Sequence, residues 1–186
     1  MILNSKIDID FVQDKLTFEK IQIQKSIFIK IFTEIANLFP QSKLEEIHKR
    51  AKGSKVSNGM NLENCPYQVL DLIRDFDATK GYNIRILNWW GHGLYIFIQF
   101  GREIITLYEN TIFENLSEFH IGTFLDPFDY KSIITTKKKL TKTNFKNCLK
   151  DSQTVILHKK ISYLSSQARL QEVLLENINL ILDKDS

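Results

Sequence analysis

The stretch Tyr82-Asn83-Ile84-Arg85-Ile86-Leu87-Asn88-Trp89-Trp90-Gly91-His92-Gly93-Leu94-Tyr95-Ile96-Phe97-Ile98-Gln99-Phe100 decides the fold. Two runs rich in β-branched and aromatic residues flank a Gly-His-Gly break, the pattern of a β-hairpin with strands at 82–90 and 94–100. A three-residue loop at 91–93, with Gly93 as its left-handed residue, pairs Trp90 with Leu94, Asn88 with Ile96, Ile86 with Ile98 and Ile84 with Phe100. One face then carries seven apolar side chains and Asn88, which marks it as the core face. A two-residue loop would mix the faces and bury Arg85 among Leu94, Ile96, Ile98 and Phe100.

The other face places Arg85 opposite Gln99 and Trp89 opposite Tyr95, with His92 at the turn. Aromatic walls with one cation and one amide are the ingredients of a small-ligand or partner site. Arg85, Trp89, Tyr95, Gln99 and His92 are therefore the candidate ligand-binding residues. The structural alternative is a sheet packed on both faces, with Arg85 neutralised by an acid such as Asp71 or Asp75.

Outward from the hairpin, helical spacing of Ile27, Phe28, Ile31, Phe32, Ile35, Leu38 and Phe39 predicts an amphipathic helix stopped by Pro40. Residues 6–23 alternate like a strand, although a helix can begin within them. Ser42 and Glu45 have capping-box spacing and predict a short helix to Ala51. Residues 52–65 read as a loop. Pro66 suits a first helical position, and Val69, Leu70, Ile73 and Phe76 predict a helix over 66–77. Further elements are expected as strands at 104–108, 132–136 and 154–158, and as helices near 111–116, at 144–150 and at 163–182. Helices at both ends around an antiparallel centre give an α+β fold in one domain, built on the hairpin at 82–100.

The composition of the 186 residues, with 43% hydrophobic and 25% charged side chains, is that of a globular chain and excludes disorder and collagen. At this length a single core buries about 70% of the surface exposed by the unfolded chain. The chain contains no apolar run long enough for a membrane helix, and Asp8 interrupts the amino-terminal segment before a signal-like core forms. A cytoplasmic location is expected. Cys65 and Cys148 are far apart, and His48, His92, His120 and His158 are scattered, so the reading is of buried thiols with no metal site and no cofactor.

Net charge is +3, but residues 131–160 hold nine lysines against the single acid Asp151, a local net of +8. Lys137, Lys138, Lys139 and Lys142 are the candidate polyanion contacts. All nine are lysines, which meet phosphates as point charges without the arginine fork, so a solvated charged face is the competing reading. The loop Lys52-Gly53-Ser54-Lys55 lacks the P-loop pattern. Asp129-Tyr130-Lys131 matches the D-x-K edge of restriction-type nucleases in three residues only. No nucleophile elbow or zincin motif occurs.

These residues suit two functions. The first is a non-catalytic binding or interaction domain, for a protein or a small ligand, using the mixed aromatic-polar face of the hairpin. The second is an enzyme acting on a nucleotide, nucleic acid or other phosphorylated substrate, with residues 131–160 supplying the electrostatics. An enzyme should gather Arg85, His92 or an acid such as Asp71 into one cleft; a binding module should present an aromatic patch without such a cluster.

Overall fold

The computed structural model describes residues 6–183. Its centre is a six-stranded antiparallel sheet of order β1-β2-β3-β4-β6-β5, formed by β1 (Lys55–Leu62), β2 (Cys65–Asp75), β3 (Tyr82–Trp89), β4 (Gly93–Gly101), β5 (His120–Gly122) and β6 (Thr154–Ile161). Before the sheet come α1 (Ile9–Gln13), α2 (Lys15–Asn37) and α3 (Gln41–Ile47). A 3-10 turn (Ile105–Tyr108) leads into α4 (Glu109–Asn115); α5 (Tyr130–Thr135) and α6 (Lys142–Asp151) precede β6, and α7 (Gln167–Leu182) closes the chain. The fold is α+β, with an antiparallel sheet flanked by N- and C-terminal helices.

The hairpin occupies β3 and β4 at the middle of the sheet, and its two faces divide as the alternation requires. Ile84, Ile86, Leu94, Ile96, Ile98 and Phe100 enter the large core with Ile31, Phe32 and Ile35 of α2 and Leu170, Leu174 and Ile178 of α7. Leu87, Trp89, Tyr95 and Phe97 enter a smaller core on the opposite face, under Tyr130 and Ile133 of α5. The loop slides by one residue from the expected register, so that Asn88 faces Leu94, Arg85 faces Phe97 and Trp89 faces Gly93. Two contacts hold that register: Tyr82 stacks on Phe100 at 4.9 Å, and Trp90 leaves the ladder to donate its indole N–H to Gln68 Oε1 at 2.9 Å. The slip changes opposing pairs by two residues and leaves the faces intact.

Residues 66–77 are the main correction, because they lie in and just beyond strand β2 rather than in a helix. Register shifts between Asp71 and Ile73, which places Leu70, Leu72 and Ile73 together in the large core while Val69 enters the smaller one. This bulge breaks the two-residue alternation and leaves Leu70 and Ile73 three apart, imitating a helical stripe. Pro66, second in the strand, is tolerated at a strand start. Residues expected as a loop form β1, joined to β2 by Glu63 and Asn64 with φ of 49° and 63°. Two consecutive left-handed residues make this a type I′-like turn without its usual glycine.

Other elements differ locally. Residues 15–23 are helical, and Asp14 caps α2 by accepting from the Thr17 amide at 3.0 Å. Pro40, rather than Ser42, is the N-cap of α3. Residues 104–108 contain a 3-10 turn instead of a strand, and Asp129 caps α5 where a strand at 132–136 was expected. Asp129 and Lys131 therefore belong to a helix start and not to a sheet edge. The expected helices at 111–116 and 144–150, and the strand at 154–158, correspond to α4, α6 and β6. The last helix starts at Gln167, with Ser166 as its cap, so 163–166 lie outside it. Among the described residues no helix is long and apolar enough to cross a membrane.

Candidate functional site

Arg85 is fixed by its neighbours. Its Nε lies 2.5 Å from Asp71 Oδ1 and its Nη2 2.8 Å from Asp71 Oδ2, a two-pronged pair between adjacent strands, while Nη1 donates to the Tyr130 hydroxyl. The guanidinium also lies 5.1 Å from the Phe128 ring centre and 5.7 Å from that of Phe76. Burial opposes the Arg85 charge, yet the hydrogen bonds and charge of Asp71, with Tyr130, outweigh it and raise the pKa. The acid is one of the two the sequence nominated, supplied by a neighbouring strand and not by a helix.

The remaining hairpin candidates separate. Trp89 is fully buried and donates its indole N–H to the Leu62 carbonyl at 2.9 Å. His92 stacks on Trp89 at 3.7 Å, and the Tyr95 hydroxyl donates to the His92 carbonyl at 3.1 Å. Gln99 is buried opposite Asn83, near the other end of the strand. Trp89, His92 and Tyr95 thus meet at the hairpin tip, whereas Arg85, four residues from Trp89, stands roughly 13 Å away along the strand. A cavity of about 220 Å³ remains beside Arg85, walled by Tyr67, Leu87, Phe128 and Tyr130.

The lysines of 131–160 differ in their surroundings. Lys137, Lys138 and Lys139 are exposed on the extended segment after α5, and Lys142 is exposed at the start of α6. Lys131 pairs with Glu63 at 3.3 Å and Lys159 with Glu118 at 2.5 Å. Among the described residues no group of three or more His, Cys, Asp or Glu side chains is placed to hold a metal ion.

A larger site lies elsewhere, in a cleft of about 530 Å³ lined by the end of α3, the β2–β3 turn, the 3-10 turn and α4. His48, Lys49, Arg50 and Lys80 supply its basic wall, with Ile47, Ile104, Leu107 and Tyr108 as its apolar part and Asn110 and Thr111 as its neutral polar part. Three of these four basic residues pair with acids. His48 Nε2 lies 2.8 Å from Asp75 Oδ2, and Arg50 Nε lies 3.0 Å from the same oxygen. Arg50 also reaches Asp77 at 3.3 Å, and Lys80 lies 3.7 Å from Glu103. None of these acids lines the cleft itself.

Backbone geometry explains how the turn is held. Asp77 Oδ1 accepts from the amides of Lys80 at 2.8 Å and Thr79 at 2.9 Å, and these bonds hold the Asp77 carboxyl well below its ordinary range. The Glu103 amide donates to the Thr79 carbonyl at 2.8 Å, tying the turn to the start of the 3-10 segment. Gly101 permits this approach, since a Cβ there would strike the Thr79 backbone. The Tyr108 hydroxyl donates to the Ile47 carbonyl at 3.1 Å, and burial pushes the phenol up to about 12. Tyr82 packs behind both His48 and Tyr108, with ring centres 5.9 and 4.8 Å away.

The cleft is not legible in the sequence, because its residues come from four segments between Ile47 and Thr111, and no spacing motif joins them. The acids of 71–77 were visible, but placing them on a helix hid their role behind His48 and Arg50. Comparison with known protein families, curated proteins and solved structures finds no match for this chain.

Proposed function

We propose that the protein is a binding domain for a small anionic molecule with an apolar body, held in the cleft between α3, the β2–β3 turn and α4. The observation that supports this most is the lining: four basic side chains and no carboxylate, set against an apolar floor in a volume suited to a small ligand. Asp75 and Asp77 pair with Arg50, and Glu103 with Lys80, without lining the cleft, so these cations are positioned while their solvent-facing sides stay open to an anion. The Arg85 face supports the reading less well, because its guanidinium is largely buried as well as engaged by Asp71 and Tyr130, whereas the paired Arg50 and Lys80 of the cleft stay open to solvent. The lysines of 131–160 are read as a solvated face.

Phenyl phosphate, inorganic phosphate and benzyl alcohol test both halves of the ligand by calorimetric titration. Phenyl phosphate should bind more tightly than either fragment, and Lys80→Ala should weaken it by about tenfold, the scale of one charge-assisted hydrogen bond. Equal binding of phenyl phosphate to wild type and Lys80→Ala would remove the cleft from the account.

One observation favours a catalytic reading of the same cleft. The buried His48–Asp75 pair at 2.8 Å has the geometry of an oriented general base. Steady turnover of p-nitrophenyl phosphate that disappears in His48→Ala would support it, and binding without turnover would leave the binding domain.

A further inference from the structure

At the hairpin tip, on the side of the sheet that α2 covers, a chain of hydrogen bonds fixes two aromatic rings by their polar edges. Gln68 Oε1 accepts from the Trp90 indole N–H at 2.9 Å and from Asn88 Nδ2 at 2.6 Å, and the Tyr163 hydroxyl donates to Asn88 Oδ1 at 2.6 Å. The rings themselves are not enclosed, since Tyr163 is 51% exposed and Trp90 is half-buried. Phe28 of α2 meets Tyr163 edge-on, with ring centres 6.0 Å apart. A pocket of about 240 Å³ lies here, lined by Gln24, Phe28, Asn88, Trp90, Gly91 and Tyr163.

Two observations point to a ligand. Gln68, on which the network converges, is fully buried, and its Nε2 has no hydrogen-bond partner among the described residues. A buried donor left unmet costs stability, and such departures from good packing gather at functional sites. Gln24 stands exposed on the rim, and among the described residues its side-chain amide makes no hydrogen bond. The pocket therefore combines pre-positioned aromatic walls with one unused amide. Among the described residues no charged side chain lines it.

We infer that this pocket binds the adenine ring of an uncharged nucleoside, stacked on Trp90 with Gln24 reading its edge. Stacking on an aromatic side chain suits any base, so the amide decides which one. A glutamine amide offers an acceptor and a donor side by side, the complement of adenine N6 and N7. Guanine presents two acceptors on that edge and calls for a cation, which the lining lacks. The same lack of charge leaves a phosphate nothing to pair with. The pocket is distinct from the anion cleft: Lys80 of the cleft precedes β3 and Trp90 follows it, roughly 25 Å apart along an extended strand.

Calorimetric titration of the full chain with adenosine tests the inference. Wild type should bind one equivalent, and Trp90→Ala should weaken binding by about tenfold. Gln24→Ala, at an exposed position, should weaken it by about fivefold with unchanged circular dichroism. Inosine, with two acceptors on the same edge, should bind about tenfold more weakly than adenosine, and adenosine monophosphate no more tightly. Lys80→Ala should leave adenosine binding unchanged, whatever it does to phenyl phosphate. No saturable binding at millimolar adenosine would overturn the inference, as would equal affinity for inosine or indifference to both Trp90→Ala and Gln24→Ala. Methyl glucoside binding as tightly as adenosine would make this a sugar site and overturn it. Tighter binding of adenosine monophosphate that is lost in Lys80→Ala would assign the ligand to the anion cleft and overturn it equally.

Discussion

Arg85 and Asp71 stand directly opposite each other on β3 and β2, joined by two hydrogen bonds of 2.5 and 2.8 Å beneath the Phe128 and Tyr130 rings. The pair connects the central sheet to the segment that covers its second face, since Tyr130 of α5 shares the guanidinium. Its position fits structure better than ligand capture. Arg85→Ala leaves Asp71 buried without its counter-charge, and we expect a loss of about 3–5 kcal/mol in urea denaturation. Tyr130→Phe should cost less, about 1.5–3 kcal/mol, as one hydrogen bond to a charged group is removed. A melting temperature unchanged by Arg85→Ala would return this residue to the list of ligand contacts.

The faces of the hairpin were legible because strand alternation survives a slip of the loop. Arg85 therefore reached the right face, and Asp71 was named as a possible partner, although its strand was read as a helix. That misreading has a local physical cause: the bulge between Asp71 and Ile73 makes a strand imitate helical spacing. The β1–β2 turn was hidden for a similar reason, since Glu63 and Asn64 adopt left-handed backbone without glycine. The cleft was beyond reach, because His48, Lys80 and Tyr108 meet only through tertiary packing.

His158 gives the stability a pH dependence. It is buried on β6, its ring 5.3 Å from His120, and its Nε2 has no hydrogen-bond partner. Burial first, then the charges of His120 and Lys137, depress its pKa to about 4, partly offset by a hydrogen bond with the Thr136 backbone. A histidine depressed from its ordinary 6.5 binds its proton more readily when unfolded. Its contribution is fully present above pH 6.5, and is lost as pH falls through the window down to about 4. The loss reaches at most about 3 kcal/mol. Denaturation curves between pH 7 and 4 should show this slope in wild type and a shallower one in His158→Gln; identical slopes would contradict the assignment.

The lysine-rich segment is expected to be neutral in both stability and recognition. Changing Lys137, Lys138 and Lys139 together to Ala should alter stability by less than about 0.5 kcal/mol, because all three are exposed. Fluorescence anisotropy with labelled duplex DNA at low salt should show little binding by wild type or variant. A steep fall in affinity with salt, about −0.9 in the log–log slope per phosphate neutralised, would identify a real polyanion surface.

An amide-resolved NMR titration of the full chain with phenyl phosphate tests ligand binding in the cleft. Shifts should concentrate at His48, Lys49, Arg50, Lys80, Tyr108, Asn110 and Thr111, saturating together with one affinity and reduced in Lys80→Ala. Shifts confined to 137–142, or centred on Arg85 and Tyr130, or absent at millimolar ligand, would contradict it.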